Sequence, residues 1–166
     1  GHTRWATHGK VTDANAHQRA ASVTTVVTVN ALPVAPTITA DGPTTFCAGG
    51  SVSLTSSAGT NYLWSIRATS SSINVFTAGS YTVKVTDANG CQSAASVATV
   101  VTVNALPATP TITAGGPITF CDGGNVTLTS SAGTSYLWSN AETTASINVT
   151  TAGSYNVQLI DASGCQ

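Results

Sequence analysis

The segment PTITADGPTTFCAGGSVSLTSSAGTNYLWS, which starts at Pro36, returns as PTITAGGPITFCDGGNVTLTSSAGTSYLWS from Pro110. Phe46 and Phe120, Cys47 and Cys121, Trp64 and Trp138, Tyr81 and Tyr155, and Cys91 and Cys165 each lie 74 residues apart, with no insertion or deletion between them. The same offset relates VTDANAHQRAASVTTVVTVNALP (11–33) to VTDANGCQSAASVATVVTVNALP (85–107). A register this strict means one supersecondary unit used repeatedly, so whatever residues 34–107 fold into must also suit residues 108–166. The repeat predicts one complete unit at 34–107 and a second at 108–166 that lacks its last strand. It also predicts a detached copy of that strand, with its linker, at 19–33.

Within a unit the period is that of strands. SVSLTS and YTVKVTD alternate apolar and polar side chains, and Val97, Thr99, Val101 and Val103 would share one face of a strand. Clusters of Gly, Pro, Asp and Asn punctuate these runs at the roughly 8–12-residue spacing of antiparallel sandwiches. No segment sustains helical periodicity. NALPxxP recurs with Pro33 and Pro36, then Pro107 and Pro110, and predicts a stiff connector between units. The fold class expected is therefore all-β, as tandem antiparallel β-sandwiches joined by short Pro-containing linkers. With 7% charged residues, five Lys+Arg and a net charge of −1, the chain has no basic stripe for nucleic acid. It also has no apolar run near the ~18 residues that span a membrane.

Tyr62 and Trp64 are two apart on a strand and face the same way. Immunoglobulin-like sandwiches bury a Trp at the corresponding strand and place a Tyr at a later corner. That analogy makes Trp64, Trp138, Tyr81 and Tyr155 core or corner residues; the competing role is an exposed platform for stacking sugars. The combined pattern FCxGGxVxLTSSAGTxYLWS…SINVxTAGSYxVxxxDAxGCQ resembles the immunoglobulin-like, PKD-like tandem repeats of very large bacterial surface proteins, over about residues 11–166. The resemblance implies an extracellular spacer, adhesin stalk or fibre subunit, without catalysis or cofactor.

The four cysteines, Cys47, Cys91, Cys121 and Cys165, give an intra-unit spacing of 44 residues in both units. Of the three pairings that four cysteines allow, the repeat favours Cys47–Cys91 and Cys121–Cys165. Such bridges would place the chain in an oxidising compartment, extracellular or at the cell surface. Zinc ligation needs closely spaced pairs such as CxxC, and the chain has none. Asp87 and Asn89 in DANG suit a tight turn better than a calcium loop, which spends several carboxylates on the ion. Asn125 and Asn148 head two Asn-Val-Thr sequons that glycosylation machinery accepts.

The opening GHTRWATHGKVTDANAH is unlike the rest. Residues 1–18 resemble a motif of the class II glutamine amidotransferases, most closely the glutaminase domain of glutamine–fructose-6-phosphate aminotransferase. The resemblance implies that Arg4 would hold a glutamine carboxylate, with Trp5, Thr7 and His8 as pocket neighbours. That family's nucleophile is an N-terminal cysteine, whereas this chain starts with Gly1 and its cysteines all belong to the repeat. No glutaminase activity is expected from Arg4 without nucleophile or oxyanion donors. KVTDAN fits both patterns and marks a join between two unrelated sequences; His17 stands where the repeat puts Cys91 and Cys165. Metal binding by His2, His8 and His17 lacks a carboxylate set to support it.

A sandwich without its last strand exposes an unpaired edge. Residues 19–30, with Val23, Val26, Val27 and Val29, form a strand complementary to that gap. Donation of this strand into the 108–166 unit of another copy would build a head-to-tail homopolymer. The alternative partners are flanking repeats of a longer chain, or glycans if the chain is an adhesin module.

Overall fold

The computed structural model describes residues 23–166, and among these every regular element is a strand. The amidotransferase-like segment, with His2, Arg4, Trp5, Thr7, His8 and His17, lies outside the described residues, as do residues 19–22. In the first repeat, β1 (Ile38–Ala40), β3 (Val52–Ser56) and β5 (Ser72–Val75) form one sheet in the order β1-β3-β5. β4 (Asn61–Trp64) pairs with β7 (Val83–Thr86), while β2 (Thr45–Cys47) and β6 (Gly79–Tyr81) flank β8 (Thr99–Asn104). In the second repeat, β9 (Ile112–Ala114), β10 (Val126–Ser130) and β12 (Ser146–Val149) form a sheet in the order β12-β10-β9, and β11 (Ser135–Trp138) pairs with β13 (Val157–Ile160).

These strands form where apolar and hydroxyl residues alternate, because the pleat sends successive side chains to opposite faces. β3 buries Val52 and Leu54 and turns Thr55 outward; β5 buries Ile73 and Val75 and turns Ser72 and Asn74 outward. The antiparallel register sets Val52 against Val75 and Leu54 against Ile73. It recurs in the second repeat, with Val126 against Val149 and Leu128 against Ile147. There, Val126, Trp138, Ile147, Val149 and Val157 form one core cluster, with Leu128, Tyr136 and Tyr155 packed on it. Each fully buried Val or Ile contributes about 1.5–3 kcal/mol of hydrophobic stabilisation.

Several polar groups inside the fold are paired through local chemistry. The Trp64 and Trp138 indole N–H groups donate to the carbonyls of Ser70 and Thr144, both at 2.8 Å. The Tyr81 hydroxyl donates to the Thr77 carbonyl at 2.9 Å, and Tyr155 does the same to Thr151 at 3.1 Å. After β7, Ser93 and Ser96 stand in for a ladder strand. Their buried hydroxyls accept from the N–H groups of Val85 and Val83, and their own N–H groups donate to the carbonyls of the same two valines. Tight turns follow β4 and β11, where Arg67 (φ 67°) and Ala141 (φ 69°) adopt the left-handed region.

The chain divides into two compact units. One comprises residues up to Thr39, Ser56–Ser71 and Thr82–Ala98; the other comprises Ala40–Thr55, Ser72–Tyr81 and Thr99–Gln166. The second unit runs through the linker between the repeats, so the compact units do not follow the repeat boundary expected between residues 107 and 108.

The all-β sandwich architecture expected is the one observed, with a single parallel pair among the described ladders: β2 runs beside β8 with Thr45 opposite Thr102 and Cys47 opposite Asn104. The cysteine pairing is corrected. The cysteines do not pair within repeats: Cys47 is bonded to Cys165, 118 residues on, and Cys91 and Cys121 are free. A disulfide tolerates a Cα separation of up to about 7 Å, and the spacing of cysteines along the chain does not set which of them come that close. The Cα atoms of Cys47 and Cys165 are 5.6 Å apart.

Candidate functional site

The first repeat shows what a finished unit looks like around its last strand. β8 lies between β2 and β6, with Val103 opposite Phe46, Val101 opposite Gly79 and Thr99 opposite Tyr81. Val101 is buried at 2% exposure, Thr99 and Val103 are half-buried, and Val100 on the other face is 60% exposed. Val97, expected on one strand face with Thr99, Val101 and Val103, precedes the strand and is exposed.

Residues 108–166 contain no counterpart of β8. The segments matching β2 and β6, at 119–121 and 153–155, accordingly form no strand. Where β8 would lie there is a groove of about 760 Å³, lined by Ile112, Ile118, Phe120, Leu128, Val149 and Tyr155, among others. The residues around it are less covered than their first-repeat counterparts. Leu54 is fully buried but Leu128 only partly, and Tyr81 is buried but Tyr155 half-buried. Phe46 is half-buried while Phe120 is exposed. Thr119, Asp122, Thr150 and Thr151 line the groove as well, so its wall mixes apolar and polar groups.

The chain also carries a second copy of the β8 sequence. Residues 21–30 repeat 95–104 with a single difference, Thr24 against Ala98. The described part, residues 23–30, has no regular structure, and Val23, Val26, Val27 and Val29 are 92%, 60%, 68% and 79% exposed. Val27 is the repeat equivalent of Val101, so the same side chain is buried in one copy of the sequence and exposed in the other.

The remaining expected sites fall as follows. Trp64 and Trp138 are each 2% exposed and Tyr81 is buried, so the indole faces are not available to stack sugars. Asn125 and Asn148 are exposed. One carboxylate oxygen of Asp87 accepts from the N–H groups of Asn89 and Cys91, both at 2.9 Å, and Asp161 holds Ser163 and Cys165 in the same way. This is a side-chain-capped turn, closed by Gly90 at φ 82° and Gly164 at φ 79°. Among the described residues no cluster of His, Cys, Asp and Glu is arranged to hold a metal, and no helix is long and apolar enough to cross a membrane.

No protein-family model and no curated protein matches the chain. Among solved structures, the human OSCAR ligand-binding domain is similar at 16% identity and a TM-score of 0.36, over 78% of this chain and 84% of that one.

Proposed function

We propose that the chain is a structural segment of an extracellular fibre or stalk, in which the strand at 19–30 of one copy completes the 108–166 sandwich of the next. The observation that carries this reading is the groove beside Phe120, Leu128 and Tyr155, set against the exposed Val/Thr segment whose twin, β8, fills the equivalent place in the first repeat. Transferred by the 74-residue offset, the ladder of β8 sets Val29 opposite Phe120, Val27 opposite Gly153 and Thr25 opposite Tyr155. Main-chain hydrogen bonds then supply affinity, and burial of Val27 supplies specificity. Because donor and acceptor are different surfaces, the joint is heterologous and adds copies without closing. The Cys47–Cys165 disulfide supports an oxidising, extracellular setting. The reading assigns the chain no catalytic step and no cofactor.

Light scattering of size-fractionated protein over a concentration series tests the proposal. Open-ended growth that deletion of residues 19–30 abolishes is the expected result. A well-folded monomer at every concentration would overturn donation between copies and leave the strand to come from a neighbouring repeat of a longer chain.

A further inference from the structure

The disulfide in the chain is a relation between repeats. Cys47 and Cys121 are equivalent positions, as are Cys91 and Cys165. The bond formed therefore joins the first cysteine of one repeat to the second cysteine of the repeat that follows. Applied once more, the same rule leaves two half-sites: Cys121, a first cysteine awaiting a following repeat, and Cys91, a second cysteine awaiting a preceding one. Those two are the free thiols.

We infer that Cys121 of one copy and Cys91 of the next form an intermolecular disulfide, equivalent to Cys47–Cys165, that locks the head-to-tail joint. The inference rests on the strand-donation reading, because the donated strand is what brings the next copy's first repeat into place. The connector supports it: Asn30 to Pro36 and Asn104 to Pro110 are linkers of equal length, ALPVA and ALPAT before the closing proline. A strand docked as β8 is docked thus delivers the following repeat in the same register, whether its linker belongs to the same copy or to another.

The main-chain turns next to both free cysteines match those next to their bonded twins. The Asp87 carboxylate fixes the Cys91 N–H as Asp161 fixes that of Cys165, each at 2.9 Å. The carbonyl of Cys121 accepts from Gly124 N–H as that of Cys47 accepts from Gly50 N–H, each at 2.9 Å. What differs is cover. Where the joint is made, Cys165 is 1% exposed and Cys47 half-buried; where it is not, Cys91 is half-buried and Cys121 exposed. Phe46 and Phe120, the residues just before Cys47 and Cys121, follow the same order.

The chemistry is thiol–disulfide exchange with a small-molecule disulfide such as oxidised glutathione. The Cys121 thiolate attacks that disulfide and releases one reduced glutathione. The Cys91 thiolate of the second copy then attacks the Cys121 sulfur of the mixed disulfide and releases the second glutathione. Two S–H groups are lost, one S–S bond forms between copies, and the oxidant's S–S bond is reduced to two thiols.

The test oxidises Cys91→Ser and Cys121→Ser, singly and mixed in equal amounts, with oxidised glutathione, then reads denaturing gels without reductant and the linked peptides by mass spectrometry. The wild-type chain should give a ladder, each variant alone a monomer, and the mixture a dimer carrying only the Cys91–Cys121 linkage. Homodimers of either variant alone, a Cys91–Cys121 bond inside one wild-type chain, or absence of the mixed dimer would overturn the inference. Light scattering on the Cys91→Ser/Cys121→Ser double variant separates the two readings. Non-covalent growth there without a wild-type ladder sinks the disulfide and keeps strand donation, whereas no growth in either protein sinks donation itself.

Discussion

At the residue scale, equivalent positions that differ in environment are internal controls. Ser56 and Ser130 end β3 and β10, and both are 7% exposed. The Ser56 hydroxyl donates to the Ser57 carbonyl at 3.1 Å, whereas the Ser130 hydroxyl is buried with no hydrogen-bond partner among the described residues. A buried hydroxyl left unpaired costs about 1–3 kcal/mol, and a typical bond returns about 1. Ser130→Ala should therefore raise stability by about 1 kcal/mol, while Ser56→Ala should lower it by a similar amount; chemical denaturation of the two variants checks the opposite signs. Equal losses in both would show that the Ser130 hydroxyl is satisfied in solution. The burial of Trp64 and Trp138 was legible from the sequence because no other residue in a unit is as large and apolar. The state of Ser130 was not, since it depends on where one hydroxyl points.

At the scale of elements, two pairs of positions predict different outcomes for the same change. A Cβ on Gly59 would sit 2.6 Å from Val85 Cγ1 and 2.8 Å from its Cβ, and one on Gly133 would sit 2.5 Å from Leu159 Cδ2. Val85 is β-branched and stiff, whereas Leu159 can move the end of its side chain. Gly59→Ala should cost ~2–3 kcal/mol and Gly133→Ala under ~1.5, by thermal or denaturant melts of each variant against the parent chain. A reversed order would mean that the loop before β4 yields, not the valine. The second pair concerns the strand proposed as donor. Val27 corresponds to buried Val101 and Val26 to exposed Val100. Val27→Lys should abolish head-to-tail growth in light scattering, and Val26→Lys should leave it intact. Equal effects would place the strand elsewhere than in the β8 position. The strands themselves were legible from their period-two pattern. The parallel pairing of β2 was not, because a three-residue strand carries no sign of which neighbour it meets or in which direction.

At the scale of the molecule, the Cys47–Cys165 disulfide closes a loop of 118 residues, worth about 5 kcal/mol on the chain-entropy model. Cys165→Ser should lower unfolding stability by ~2–5 kcal/mol, whereas Cys91→Ser should leave the stability of the isolated chain unchanged. Denaturant curves with and without reductant read both. A large loss from Cys91→Ser would restore pairing within repeats and remove the half-sites at Cys91 and Cys121.

The sequence by itself determined the strand pattern, the 74-residue register, the buried aromatics and the second copy of the β8 sequence at 21–30. These are local or periodic properties, and alternation of side chains across a pleat writes them directly into the order of residues. Which cysteine meets which was decided only in three dimensions. Spacing counts residues along the chain, but a disulfide needs two Cα atoms within a few ångströms, and that closeness is a property of the folded chain alone. The groove belongs to the same class of fact. Its residues, from Ile112 to Tyr155, are scattered along the repeat, and only folding gathers them around one groove.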